Sequence, residues 1–130
     1  MKELKFSTSK QFEVIDITKE VSEAVKEIKE GIAVIFVPHA TAGIIINENY
    51  DPKVSEDIIT ALNQIVPLRN NWKHDQVDGN AAAHIKSAII GPSETVIIKD
   101  GKMQLGTWQQ IALIDFDGPR ERKVFVKTIK

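Results

Sequence analysis

Residues 32–37 read Ile-Ala-Val-Ile-Phe-Val, and residues 38–43 continue as Pro-His-Ala-Thr-Ala-Gly. The first six residues are apolar without polar alternation, which is typical of a β-strand covered on both faces. We therefore expect this strand to lie in the middle of its sheet. The small residues after it leave open space around His39 at the strand end, where ligands often bind, although they also suit a tight turn between two packed strands.

Three helices are predicted around this strand. Thr18 can cap the first helix, and Gly31 ends it. Asp51 and Pro52 form the N-cap and the first-turn proline of the second helix. The third helix covers residues 81–89, directly before the Gly-Pro pair that stops it.

The rest of the chain predicts further strands. Asp100-Gly101 is a strong signal for a two-residue hairpin turn. The predicted strands cover residues 12–17, 32–37, 44–46, 95–99, 102–105, 109–116 and 123–129. No linker separates domains, so we expect one α+β domain over residues 1–130, with mostly antiparallel strands and about three helices.

Composition excludes several classes of protein. The net charge is −1, so the chain lacks the excess of Lys and Arg that nucleic-acid binding requires. Because cysteine is absent, disulfides, thiolate nucleophiles and Cys-type zinc sites are excluded. The longest apolar run, residues 32–37, is far shorter than a membrane span, and the N-terminal residues lack an apolar signal core. We expect a cytoplasmic protein with no nucleic-acid or membrane partner.

Three histidines lie where the chain leaves or enters regular structure: His39, His74 and His84. His74 also stands beside Asp75 and four residues before Asp78. Three imidazoles around one divalent ion would leave an open position for a water molecule whose pKa the ion lowers. A metal site formed by these histidines is therefore one hypothesis. A structural role for each imidazole is the alternative, because the spacing matches no known zinc signature.

Cationic and aromatic residues supply candidates for substrate binding. Lys86, Arg120 and Arg122 can bind phosphate oxygens, although surface solvation explains them nearly as well. Trp108 is either a stacking wall for an aromatic substrate or a packed residue at the start of a strand. If residues 32–37 and 44–48 pair as a hairpin, Glu48 lies about 15 Å along the strand from His39. Glu48 then either reaches a site in another subunit or is simply a strand-end carboxylate, and the geometry slightly favours the strand-end carboxylate.

A series of motifs resembles the YjbQ-type family over nearly the whole chain. They occur in the family's order at residues 39–43, 47–49, 51–52, 74–75, 78–80, 84–86, 106–109 and 117–120. The resemblance implies a small sandwich-like α+β subunit that assembles as a homotrimer, with histidines near a metal and substrate pocket. Where some relatives have a further polar residue before the last histidine, this chain has Ala82.

The resemblance also implies a function similar to secondary thiamine-phosphate synthase. That reaction joins a pyrimidine methyl diphosphate to a thiazole phosphate and releases pyrophosphate. The expectation is thus a metal-dependent enzyme that acts on a small phosphorylated substrate with zinc or magnesium. The alternative is a non-catalytic homotrimeric protein that binds a metal or a small ligand. The implied catalytic residues are His39, His74, Asp78 and His84, and the implied substrate-binding residues are Lys86, Thr107, Trp108 and Arg120.

Overall fold

Eight strands and three helices make up the protein in the computed structural model, which describes residues 1–130. The strands are β1 (Lys2–Ser7), β2 (Glu13–Asp16), β3 (Glu30–Phe36), β4 (Ala42–Asn47), β5 (Ser93–Lys99), β6 (Lys102–Met103), β7 (Gln110–Asp115) and β8 (Glu121–Ile129). The helices are α1 (Thr18–Val25), α2 (Pro52–Ile65) and α3 (Ala81–Ile90), with a short 3-10 helix at Lys73–Gln76. The predicted α+β class is confirmed.

The strands form two antiparallel sheets. One sheet has the order β1-β8-β3-β5-β6, and the other has the order β2-β7-β4. The expectation that β3 lies in the middle of its sheet is confirmed. However, β3 and β4 belong to different sheets, so the hairpin considered for Glu48 does not form.

The expectation that β3 is covered on both faces is wrong for the single chain. Ala33 and Ile35 are buried between the two sheets, whereas Phe36 on the opposite face is 40% exposed. The strand covered on both faces is β7. Its residues Ile111 and Leu113 join the core between the sheets, and Ile114 packs with α2 and α3 on the other side.

The helices begin and end close to the predicted residues, with one correction. Asp51 caps α2 by accepting a hydrogen bond from the backbone N–H of Lys53 at 3.0 Å. Thr18 does not cap α1; its N–H and hydroxyl instead donate to the Asp16 carboxylate. Helix α1 also ends at Val25, before Gly31. None of the helices combines the length and apolar character needed to cross a membrane.

Small residues bring α3 close to the start of β4. The Ser87 hydroxyl donates to the Ala42 carbonyl at 2.7 Å, and the Ile44 N–H donates to the Gly91 carbonyl at 3.2 Å. A Cβ on Gly43 would lie 2.8 Å from that same carbonyl oxygen, so only glycine fits without a shift. The small residues of this segment therefore serve packing, and they hold the C-terminal end of α3 against the start of β4.

Candidate functional site

A polar cleft of about 590 Å³ opens where the two sheets and the N-terminus of α3 meet. Its walls come from the segment between β3 and β4, the start of α3, and the turn from β7 into β8. The cleft is lined by His39, Ala40, Thr41, Asn80, His84, Asp117, Pro119, Arg120, Glu121 and Arg122. The predicted site residues His39, His84 and Arg120 are thus brought together.

A buried ion pair forms the floor of the polar cleft. The Arg122 guanidinium donates to both carboxylate oxygens of Asp115, with Nη2 to Oδ1 at 2.6 Å and Nε to Oδ2 at 3.1 Å. Arg122 Nη2 also donates to the Thr41 hydroxyl at 2.8 Å. The Thr8 hydroxyl donates to Asp115 Oδ2 at 2.7 Å, so every oxygen of this carboxylate is satisfied.

Two opposing effects set the pKa of Asp115. Burial raises the pKa, but hydrogen bonds from Arg122, the Asp117 N–H and Thr8 outweigh it and hold the pKa below its ordinary value. Asp115 is therefore ionised and fixes the orientation of the guanidinium. The third guanidinium nitrogen of Arg122, Nη1, has no protein partner and yet is not a buried atom, so it opens onto the polar cleft.

A second carboxylate organises the rim of the cleft. Asp117 Oδ2 accepts hydrogen bonds from Asn80 Nδ2 at 2.9 Å and from Arg120 Nη2 at 3.2 Å. This links the N-terminus of α3 to the turn between β7 and β8. The other atom of the amide, Asn80 Oδ1, is buried without any partner. An unpartnered buried acceptor costs roughly 1–3 kcal/mol of stability.

His39 is held as a neutral imidazole. Burial and the nearby charge of Arg122 lower its pKa, and Nε2 accepts a hydrogen bond from the Lys123 N–H at 2.9 Å. In a neutral imidazole the other nitrogen then carries the proton. Nδ1 has no protein partner and is not a buried atom, so it is a free donor at the edge of the cleft.

The third histidine lies on the far side of His84. The rings of His74 and His84 meet edge to face with centroids 4.8 Å apart, and His74 does not line the polar cleft. Asp78 does not line the polar cleft either, and its Oδ2 lies 3.6 Å from His74 Nε2, beyond hydrogen-bond distance. His84 therefore stands between the other two imidazoles.

The residues do not fit the predicted three-histidine metal centre. No group of three or more His, Asp or Glu side chains is arranged to hold a metal ion. In addition, the Nε2 lone pair of His39, which a metal ion would need, is occupied by the Lys123 N–H. The histidines converge on one region, but as separate pairs around His84.

The remaining predicted substrate-binding residues lie outside the polar cleft. Lys86 is only 1% exposed, with its ammonium donating to Asn63 Oδ1 and lying 4.6 Å from the centre of the Phe12 ring. Burial lowers the pKa of Lys86. Thr107 and Trp108 precede β7, whereas the cleft follows it, about 17 Å away along the strand. Trp108 is exposed and lies beside Tyr50.

Both members of the buried ion pair had a signal in the sequence. Arg122 lies two residues before Val124 and four before Val126, both buried, so the alternation of a strand predicts that its side chain points inward as well. Asp115 interrupts an apolar strand, a position at which a charge requires a partner. Arg122 was considered for anion binding, but Asp115 was not considered at all.

Comparison with known proteins assigns this chain to a family. The family model described as "UPF0047 protein YjbQ-like" matches residues 2–130. The chain belongs to the YjbQ/UPF0047 family. Similar members include UPF0047 protein MJ1081 of Methanocaldococcus jannaschii, 53% identical over 94% of this chain and 88% of the relative. YugU of Bacillus subtilis is 44% identical over 98% of this chain and 97% of the relative.

Solved structures of the family have the same fold. An uncharacterised conserved protein of the family from Clostridium acetobutylicum superposes with a TM-score of 0.95 at 50% identity, covering 99% of this chain and 100% of that one. A protein of unknown function from Sulfolobus solfataricus P2 gives a TM-score of 0.94 at 39% identity, covering 98% and 94%. The predicted sandwich-like α+β subunit is therefore confirmed.

The predicted function is wrong. The similar proteins are named by family alone or described as uncharacterised or of unknown function, and none supports a thiamine-phosphate synthase. Nothing in them supports metal dependence either, which agrees with the lack of a metal-binding group. The catalytic roles expected for His39, His74, Asp78 and His84 stay predictions.

Proposed function

We propose that the polar cleft binds the oxyanion of a small molecule, a phosphate or a carboxylate group. The observation that carries this proposal is a guanidinium that is fixed by the protein and still has a free nitrogen at the cleft. Arg122 is held by the Asp115 carboxylate and by the Thr41 hydroxyl, and these contacts leave its Nη1 without a protein partner. The Nδ1–H of His39 is a second free donor in the lining of the same cleft.

A phosphate group suits this arrangement better than a carboxylate. Guanidinium groups match phosphate oxygens, and Arg122 is held in place before any ligand arrives, so little side-chain entropy is lost on binding. We therefore take a small phosphorylated molecule, met in the cytoplasm, as the first candidate.

Calorimetric titration with methyl phosphate and with acetate tests the proposal. We expect methyl phosphate to bind, and Arg120→Gln to weaken it about tenfold, because one charge-assisted hydrogen bond is lost at the rim of the cleft. Arg69→Gln is the matched control, since Arg69 is an exposed arginine that pairs with Asp75 away from the cleft. Acetate binding alone would favour a carboxylate ligand, and binding of neither probe would overturn the proposal.

We also propose that the chain self-associates as the homotrimer implied by the family resemblance. The outer face of the five-stranded sheet carries apolar side chains in register, including Ile97 and Ile129 opposite Ile32, and Phe36 stacked on Phe125. Ile97 is 64% exposed and Ile129 is 51% exposed. A contiguous apolar face is the usual mark of a subunit contact.

Light scattering on two charge variants tests the assembly. Ile97→Glu should convert the protein to a species of lower mass, because a charge then opposes burial of this face. Ile65→Glu is the control, since Ile65 is equally exposed but lies on α2. A monomer in both the unaltered protein and the control would contradict the proposal.

A further inference from the structure

The polar cleft has an apolar neighbour on the other side of the same two imidazoles. This second cleft has a volume of about 500 Å³ and is lined by apolar side chains that include Phe36, Pro38 and Ala88. It shares His39, Ala40 and His84 with the polar cleft. The two clefts therefore adjoin at the histidines, one of them polar and the other mainly apolar.

We propose that the ligand is amphipathic, with an oxyanion joined to a flat apolar body such as an aromatic ring. The inference rests on the proposed oxyanion site and names the class of molecule that fills it. The oxyanion lies against Arg122, and the ring lies in the apolar cleft between Phe36 and Ala88. A wholly polar ligand would leave these apolar surfaces in water, whereas a ring removes them from it.

A third cleft near His84 is a weaker candidate for the ring. It is lined by Trp72, His74 and Ile85 among others, but it shares only His84 with the polar cleft. A ring bound there would have to reach past the edge-to-face contact between His74 and His84. The apolar cleft beside His39 is closer to the oxyanion site, since three residues line both this cleft and the polar cleft.

The experiment compares the dissociation constants of methyl phosphate and phenyl phosphate for the full chain. Both carry the same oxyanion, so their ratio isolates the contribution of the ring. We expect phenyl phosphate to bind about 30-fold more tightly, the order expected when much of a ring leaves water. Ala88→Phe should reduce the ratio to near 1, because the new side chain fills the apolar cleft.

Ala61→Phe is the matched control, since Ala61 is an exposed alanine of α2 that lines none of the three clefts. In Ala61→Phe, the ratio of the dissociation constants of methyl phosphate and phenyl phosphate should equal that of the unaltered protein. Equal affinity for the two phosphates would overturn this inference alone, whereas binding of neither would overturn the oxyanion site itself. Loss of the ratio in Trp72→Ala but not in Ala88→Phe would assign the ring to the third cleft. If Ala88→Phe changes the number of subunits and leaves the ratio of the two dissociation constants unchanged, the apolar cleft is a subunit contact. Each of these last two results would overturn the inference.

Discussion

The space between the two sheets and the region around the polar cleft are built on opposite principles. Fourteen buried residues form the core between the sheets, and all of them are apolar. The buried polar and charged residues lie instead around the cleft and α3, and they are Thr8, Thr41, Lys86, Ser87, Asp115 and Arg122. The first region stabilises the fold by removing apolar surface from water, whereas the second keeps charges in fixed positions at a cost in stability.

The largest expected effect comes from breaking the ion pair. Asp115→Asn should reduce the free energy of unfolding by about 4 kcal/mol, because Arg122 keeps its buried charge and loses the opposite one. Urea denaturation at pH 7 measures the loss. Since the pKa of Asp115 is lowered in the folded protein, the unaltered protein should lose stability as the pH falls below about 3.8 and through the folded pKa, and Asp115→Asn should lack this part of the pH dependence.

The double variant Asp115→Leu with Arg122→Met serves as the control for that loss. It removes both charges and replaces them with apolar groups, so it should recover most of the stability while losing methyl phosphate binding. Destabilisation of the double variant by as much as Asp115→Asn would mean that packing, and not the unpaired charge, explains the effect.

A slightly smaller loss is expected from the apolar core. Leu113→Ala should reduce the free energy of unfolding by about 3 kcal/mol, because Leu113 is fully buried between the sheets and its removal leaves a cavity. The affinity for methyl phosphate should not change, since Leu113 lies outside the cleft. Ile65→Ala is the control and should change stability by less than about 0.5 kcal/mol, because Ile65 is exposed. A large loss of affinity in Leu113→Ala would show that the two regions are coupled.

Replacing Lys86 should raise the stability of the protein, whereas the substitutions of Asp115 and Leu113 lower it. Lys86→Met should raise the free energy of unfolding by about 1 kcal/mol at pH 7, because a buried ammonium without a carboxylate partner is replaced by an apolar chain of similar length. Burial lowers the pKa of Lys86, so the unfolded chain binds a proton more readily. The gain should therefore be full below the folded pKa and disappear as the pH rises towards 10.5.

Denaturation of Lys86→Met at pH 7 and pH 10 measures this gain. Lys53→Met is a suitable control, because Lys53 is an exposed lysine in the first turn of α2. A loss of stability in Lys86→Met, with no change in the control, would mean that the hydrogen bond to Asn63 outweighs the burial of the charge.

The fold could be predicted from local patterns, but the layer that covers each strand could not. The apolar run of β3 and the apolar run of β7 look alike in sequence, and only long-range packing makes β7 the strand that is buried on both faces. Strand β1 was missed although Leu4 and Phe6 alternate with charged residues there. That alternation is a signal for a half-buried strand.

The candidate site could be predicted in part. His39, His84 and Arg120 line the cleft because each lies where the chain leaves or enters a strand or helix. The hydrogen bond that each side-chain atom makes could not be predicted, because these bonds join residues that are far apart in the chain. Lys123 occupies one nitrogen of His39 across 84 positions of sequence, and this contact removes the lone pair that a metal ligand would need.

That contact also yields the smallest and most specific expected effect. Glutamine can accept the Lys123 N–H through its amide oxygen, so His39→Gln should match the unaltered protein within about 0.5 kcal/mol at pH 8. At lower pH the stabilities of the unaltered protein and of His39→Gln should differ. Because the folded pKa of His39 is lowered, the unfolded chain takes up a proton near pH 6.5 before the folded protein does.

The unaltered protein should accordingly lose part of its stability between pH 6.5 and the folded pKa of His39, and His39→Gln should lose less. Denaturation midpoints at pH 8 and pH 5 measure the difference. His39→Ala provides the contrast, because it leaves the Lys123 N–H without its acceptor and should be less stable than His39→Gln at both pH values. Identical pH dependence in the unaltered protein and His39→Gln would mean that the imidazole is not held neutral, and the free Nδ1–H could not then be assigned to the neutral ring.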